Sequence, residues 1–259
     1  MAEKNRDGWG DGRGGNDVAA TMRTDVGKRR KQNEDAAWFD EQRGIFAVAD
    51  GMGGHLAGEV ASAMAVEAVQ QMARRYAKPD IAALRETVAG AHQAIAAHAQ
   101  QHEECAGMGT TLSVMWRGHG YMYIAHVGDS RIYRLRQGRL EQITQDHSLV
   151  DELVRAGLIS RQDARRHPRR NIITRALGTP GENEPDLLAA DAKAGDRWLL
   201  CTDGLNSMVD DADIEHAMQG DDMQAAADQL IAMALDAGGS DNVTLILCTG
   251  EEDETWNPD

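Results

Sequence analysis

Three short apolar runs, Thr110–Trp116, Tyr121–Val127 and Arg131–Leu135, follow one another with only brief glycine-containing turns between them. Turns that short can join antiparallel strands, whereas parallel neighbours need a crossover of roughly a dozen residues. The pattern also occurs upstream, where Gln42-Arg43-Gly44 separates Asp35–Phe39 from Gly44–Asp50 as a hairpin would. Helical patterning is segregated from these runs. Residues 56–76 lack proline and place Val60, Met64, Val66, Val69 and Met72 near helical spacing. A second helix is predicted over Asp80–Gln101, with Asp80 as its N-cap. Further helices are expected at Asp146–Gly157, Arg161–Arg166, Asp211–Met218 and Met223–Ala237, and buried strands at Arg197–Thr202 and Val243–Thr249. Helices in pairs, not one after each strand, predict an α+β layered domain and exclude a doubly wound sheet.

No repeat or linker divides residues 21–249, so one domain is expected there. Residues 1–20 are glycine-rich and charged, and 250–259 are acidic; both read as tails. Across the 259 residues, 42 acids face 27 Lys and Arg, a formal charge of -15. That excess argues against a nucleic-acid binder, which needs a basic footprint. No apolar run is long enough to span a bilayer, and Met1–Asp17 holds no apolar signal segment, so no membrane partner is expected. Cys105, Cys201 and Cys248 form neither a CxxC pair nor a disulfide framework, which places the chain in a reducing cytoplasm.

The acids are not evenly spread. GIFAVADG ends in Asp50-Gly51, RWLLCTDG ends in Asp203-Gly204, and Gly238-Gly239-Ser240-Asp241-Asn242 opens into VTLIL. Asn33-Glu34-Asp35 precedes the first hairpin, and Asp129 lies in the turn of HVGDSR. A single Asp-Gly is ordinarily a plain turn. Repetition at strand ends points instead to carboxylates gathered at one sheet edge, where they would repel unless cations joined them. An oxygen-only set suits Mg²⁺ or Mn²⁺ rather than zinc. Two such ions about 3.5–4 Å apart would activate a water for hydrolysis. Arg30 lies four residues before Glu34, and its planar fork matches two phosphate oxygens. Taken alone, Lys28–Lys31 would be a solvated basic turn.

GKRRKQNEDA, VADGMGGHLAGE, MGTTL, AHVGDSRIYRL, QDHSLV, NIITRALG, CTDGL and GGSDNVT occur in that order. In this the chain resembles the metal-dependent protein phosphatases of the PPM (PP2C) class, bacterial type, over about residues 21–249. The resemblance implies a four-layer α-β-β-α fold, with a central antiparallel β-sandwich flanked by paired helices. It implies a Mg²⁺- or Mn²⁺-dependent serine/threonine phosphatase, a monomer acting on kinase-phosphorylated proteins by in-line attack of metal-activated water, without a phosphoenzyme. Carried over, Asp50 would bridge two ions and the Gly51 carbonyl would bind one. Asp203 and Asp241 would complete the pair, Glu34 would bind through water or directly, and Asp129 would hold a third, weaker ion. Asp35 would orient metal-bound water and Asn242 would stand behind the ligands, while Arg30 would bind phosphate. Where animal-type members carry a histidine after Asp-Gly, this chain has Met52. The nearest histidine is His55, either a general acid or a loop residue shaping the groove.

Residues 155–175 hold seven arginines and one acid, Asp163. The family places a variable flap at about 146–180, so this stretch is either an ordinary solvated face or a lid that draws acidic, phosphorylated segments, with Arg169 and Arg170 the residues to test. Two other functions stay open at this point: an inactive regulatory module of the same fold, and a hydrolase of small phosphate esters.

Overall fold

Alternation along the central strands sets the layers. In β3 (Ile45–Met52), Ile45, Ala47 and Ala49 face one apolar cluster while Phe46 and Val48 face another. In β11 (Val243–Gly250), Val243, Leu245 and Leu247 face a third cluster while Ile246 and Cys248 join Phe46 and Val48. Strands buried on both faces read as continuous apolar runs, not as alternating ones. The shared cluster is the inside of a sandwich; the other two lie under helices.

The computed structural model describes residues 20–53 and 57–250. One sheet has the order β1 (Ala20–Asp25), β11, β10 (Asp196–Cys201), β7 (Arg131–Arg136), β8 (Arg139–Gln142). The other runs β2 (Asp35–Asp40), β3, β5 (Leu112–Gly118), β6 (Tyr121–Val127), β9 (Asp186–Asp191), with β4 (Gly109–Thr110) paired to β3. Every pairing is antiparallel. α1 (Ala57–Arg75) and α2 (Ile81–Gln101) bury Val66, Val69, Leu84, Val88 and Ile95 with the β3 and β5 side of the second sheet. α6 (Asp211–Met218) and α7 (Met223–Asp236) cover the first sheet through Ile214, Met218, Ala227 and Leu230. The result is the expected four-layer α+β sandwich. Asp80 caps α2 as predicted, accepting from the Ala82 amide at 2.7 Å.

Several boundaries differ from expectation. β1 opens at the buried Ala20, paired with Cys248, and β11 runs through Gly250, so these two neighbouring strands each reach into a stretch read as a tail. The remainder of those tails lies outside the described residues. The helix expected over 146–157 shrinks to α3 (Leu149–Arg155), because Ser148 caps it and accepts from the Asp151 amide at 3.3 Å. Asp146 and His147 are left in a buried loop. The edge strands β8 and β9 escaped the sequence reading because they carry polar residues and short apolar stretches without clear alternation.

Candidate active site

The register of the first hairpin places Asp35 directly opposite Asp50. Like charges facing each other across strands are destabilising, so packing alone would not select this pair. From the other sheet, Asp203 follows β10 as the first residue of the short helix α5 (Asp203–Asn206), and Asp241 precedes β11. The Thr202 amide donates to the Thr244 carbonyl at 3.0 Å, which keeps these two strand ends side by side. Asp129 comes from the β6–β7 loop. The Asp50 carboxyl is in the field of Asp35, Asp203, Asp129 and Asp241 together.

Burial and repulsion govern the charges here. Burial first, then the neighbouring acids, hold Asp50 well above the usual carboxylate range. Asp129 is held up in the same way, by burial and then by Asp203 and Asp146. Asp203 is pushed up to about 6, burial being the largest cause, and its carboxyl hydrogen-bonds that of Asp50. Asp35 is pushed up to about 7 by burial, although Thr202 Oγ1 donates to its Oδ2 at 2.8 Å.

Arg30 and Glu34 approach from the loop between β1 and β2. Arg30 Nη2 donates to Asp241 Oδ2 at 2.8 Å, and Nη1 lies 3.8 Å from Glu34 Oε2. Burial raises the Glu34 carboxyl despite that guanidinium. Asn242 holds the loop in place. Its Oδ1 accepts from the Glu34 amide at 2.8 Å, and its Nδ2 donates to the Val26 and Gln32 carbonyls at 2.9 and 2.8 Å. Its own amide donates to Asp241 Oδ1 at 2.8 Å. Asn242 is thus bonded to the backbone carrying Arg30 and Glu34 on one side and to Asp241 on the other.

Two glycines are required by close approach. A Cβ on Gly51 would come within 2.1 Å of the Gly58 carbonyl oxygen, and one on Gly204 within 1.9 Å of the Asn242 carbonyl oxygen. Larger residues would push the acid-bearing segments apart. The structure therefore brings Arg30, Glu34, Asp35, Asp50, Gly51, Asp129, Asp203, Asp241 and Asn242 to one end of the sandwich. His55 lies outside the described residues. Sequence reasoning missed the hydroxyls behind Asp50: Thr111 Oγ1 accepts from the Asp50 amide at 2.9 Å and contacts Ser130 Oγ at 2.7 Å, while Thr110 Oγ1 donates to the Asp50 carbonyl at 2.9 Å. The paired threonines of MGTTL were the available signal.

Among the described residues, no three His, Cys, Asp or Glu side chains already stand in a cation-holding arrangement. Asp241 and Glu34 face Arg30, and Asp203 faces Asp50. The donor set nevertheless fits hard divalent cations. All its ligands are oxygens, and Asp35 Oδ1 and Asp129 Oδ1 are buried without a hydrogen-bond partner. Buried polar atoms left unpaired are costly, and cations would satisfy them while relieving the repulsion. A cation taken up here competes with Arg30 for Asp241 and with a proton for Asp50 and Asp203.

The model of the family described as Protein phosphatase 2C matches residues 27–237. The chain is 42% identical over 226 residues to the serine/threonine protein phosphatase PstP of Mycobacterium tuberculosis, covering 87% of this chain and 43% of that protein. It thus spans less than half the length of that relative. It is 41% identical over 237 residues to the serine/threonine phosphatase stp of Listeria monocytogenes, covering 88% of this chain and 94% of that one. Its fold superimposes on the crystal structure of the catalytic domain of PstP in complex with two manganese ions, with a TM-score of 0.84 and 38% identity, covering 91% of this chain and 99% of the other. On the family match and these identities, the chain belongs to the protein phosphatase 2C family.

Proposed function

We propose that the chain is a Mg²⁺- or Mn²⁺-dependent phosphatase of phosphoserine and phosphothreonine in proteins. The observation that carries this reading is the convergence of Glu34, Asp35, Asp50, Asp129, Asp203 and Asp241 from both sheets beside the half-exposed guanidinium of Arg30. Asp50, Asp203, Asp241, Glu34 and the Gly51 carbonyl would hold two cations, and Asp129 a third. Such ions supply Lewis-acid activation of a water nucleophile and neutralise charge on the phosphate. Arg30 binds two phosphate oxygens and turns the phosphorus towards the acids. Asn242, Thr111 and Ser130 keep the ligand-bearing backbone from shifting. Asp35, bonded to Thr202, offers its unpartnered oxygen to the site as a proton acceptor or orienting group.

The partners that follow are proteins phosphorylated by serine/threonine kinases, met by a monomer in the cytoplasm. Three buried, unpaired cysteines suit a reducing compartment. Among the described residues no helix is long and apolar enough to cross a membrane. The test is phosphate release from a phosphothreonine peptide and from a small aryl phosphate, each with Mn²⁺ and with chelator. Peptide turnover that requires Mn²⁺ supports the reading. Turnover of the aryl phosphate alone would make the chain a small-ester hydrolase, and no turnover of either would make it a binding module.

A further inference from the structure

The helices are not equally engaged with the sheets. Among the described residues, α3 and α4 (Arg161–Arg166) bury no side chain, whereas α1 buries one face along its length. Alanine, glycine, valine and methionine make up that face, apart from one hydroxyl, that of the fully buried Ser62. A serine inside a helix ordinarily turns its hydroxyl back to the carbonyl three or four residues earlier. Ser62 Oγ lies 3.2 Å from that carbonyl, on Glu59, but only 2.6 Å from the carbonyl of Glu34, in the loop that brings acids to the site. A hydroxyl has one proton to donate, and the shorter contact receives it.

Gly58 stands four residues before Ser62, on the same face of α1. A Cβ there would come within 2.8 Å of Glu34 Cδ and 2.9 Å of its Oε1, so the Glu34 carboxyl rests directly on the helix backbone. The Gly51 amide donates to the same Glu34 carbonyl at 3.1 Å. A carbonyl oxygen accepts through two lone pairs, and here one serves α1 and the other the end of β3. Glu34 is thus seated on α1 twice, by its carboxyl against Gly58 and by its carbonyl under Ser62, and that carbonyl also holds Gly51.

We propose that Ser62 and Gly58 are positioning residues of the cation site. The Ser62 hydroxyl fixes the Glu34 backbone relative to Gly51, and the missing side chain at Gly58 leaves room for the Glu34 carboxyl beside the site. This rests on the cation-holding part of the phosphatase reading, in which the Glu34 carboxyl and the Gly51 carbonyl are ligands, and extends the site's support to α1. Asn242 secures the same residue from the other side, through the Glu34 amide.

The experiment measures Mn²⁺ binding to the whole chain by calorimetric titration of metal-free protein, without substrate. Ser62→Ala is expected to weaken Mn²⁺ binding by about tenfold, the usual loss when a group behind a ligand is removed. Its melting temperature without metal should fall by only about 2–4 °C. Ala65→Gly, three residues further along the same buried face, is expected to lower the melting temperature by a similar amount and to leave Mn²⁺ affinity unchanged. Gly58→Ala must push the Glu34 carboxyl aside, so it is expected to weaken Mn²⁺ binding about as much as Glu34→Gln. In the double variant those two losses should not add, because both act through one carboxyl.

Wild-type affinity in Ser62→Ala, or an equal loss in Ala65→Gly, would reduce Ser62 to packing and overturn the proposal. Full additivity of Gly58→Ala and Glu34→Gln would overturn the part assigned to Gly58. Phosphate release from a phosphothreonine peptide is read on the same samples. If none turns over while Mn²⁺ binding still falls in Ser62→Ala, the phosphatase reading fails and the positioning role stands. A wild type that binds no Mn²⁺ overturns both.

Discussion

Gly128 and His147 are joined twice. The Gly128 amide donates to His147 Nδ1 at 3.1 Å, and the His147 amide donates back to the Gly128 carbonyl at 2.8 Å. Gly128 immediately precedes Asp129. His147 Nε2 in turn lies 3.2 Å from Asp186, which also receives Arg175 at 3.0 Å. The Thr174 amide donates to the His147 carbonyl at 2.8 Å. One imidazole thus ties the Asp129 loop to both ends of the arginine-bearing segment. Its Nδ1 must accept, so the ring is neutral, and burial lowers its pKa.

His147→Ala is therefore expected to raise the Mn²⁺ concentration giving half-maximal phosphatase activity by about tenfold, as loss of groups behind metal ligands does. A Mn²⁺ titration at fixed peptide checks this. An unchanged metal requirement with only a lowered melting temperature would reduce His147 to a packing role.

Arg30 has two claims on it, Asp241 and the substrate phosphate. Arg30→Ala should raise KM for a phosphopeptide by roughly tenfold through loss of a charged hydrogen-bonding fork. It should also lower the half-maximal Mn²⁺ concentration, because Asp241 is freed. Initial rates over a grid of peptide and Mn²⁺ concentrations separate the two effects. A shift of both constants upward would contradict the competition.

Asn242 is almost completely buried and serves four backbone groups or side chains across two loops. Asn242→Ala should cost about 2–3 kcal/mol by leaving buried carbonyls and an amide unpaired. Asn242→Asp keeps the acceptor for Glu34 but sets a carboxylate against the Val26 and Gln32 carbonyls, so it should not rescue stability. Chemical denaturation of both variants tests this, and recovery in Asn242→Asp would show that the acceptor alone matters.

The pH dependence follows from the raised acids. Asp203 near 6 and Asp35 near 7 hold protons in the folded chain that the unfolded chain has lost above about pH 4. The folded state then binds more protons than the unfolded, and their contribution to stability falls as pH rises through that window. His126, lowered to about 4 by burial, works in the opposite direction: its contribution is lost as pH falls from about 6.5 towards 4. Cation uptake displaces protons from the acids alone. The rise in melting temperature caused by Mn²⁺ should accordingly be larger at pH 8 than at pH 5. A pH-independent increment would mean that the cation binds elsewhere.

The fold was largely legible because the strands buried on both faces are uninterrupted apolar runs and the long helices carry clear caps and spacing. β8 and β9 were not, since an edge strand needs only one buried face and little alternation. The acids at 50, 203 and 241 stood out through repetition at strand ends. What the sequence could not supply was the register that sets Asp35 against Asp50, or the partnering of the arginines. Among the described residues Arg155, Arg165 and Arg175 find acids distant or near in sequence while Arg161 and Arg170 do not, and only the fold distinguishes them. The clamp between His147 and Gly128 was likewise invisible, because QDHSLV carries no sign of where its histidine points.

Asp50 lies at the centre of the account, and one substitution opposes its two predicted roles. Asp50→Asn replaces a buried carboxyl whose ionisation burial and four other acids oppose, so without divalent cations at neutral pH the variant should melt at a higher temperature than the wild type. With saturating Mn²⁺, the same variant should release phosphate from a phosphothreonine peptide about a thousandfold more slowly. The decisive measurement is that rate, taken on protein whose melt shows it to be folded. A rate within a few-fold of wild type would contradict the assignment of this acidic centre as the seat of catalysis.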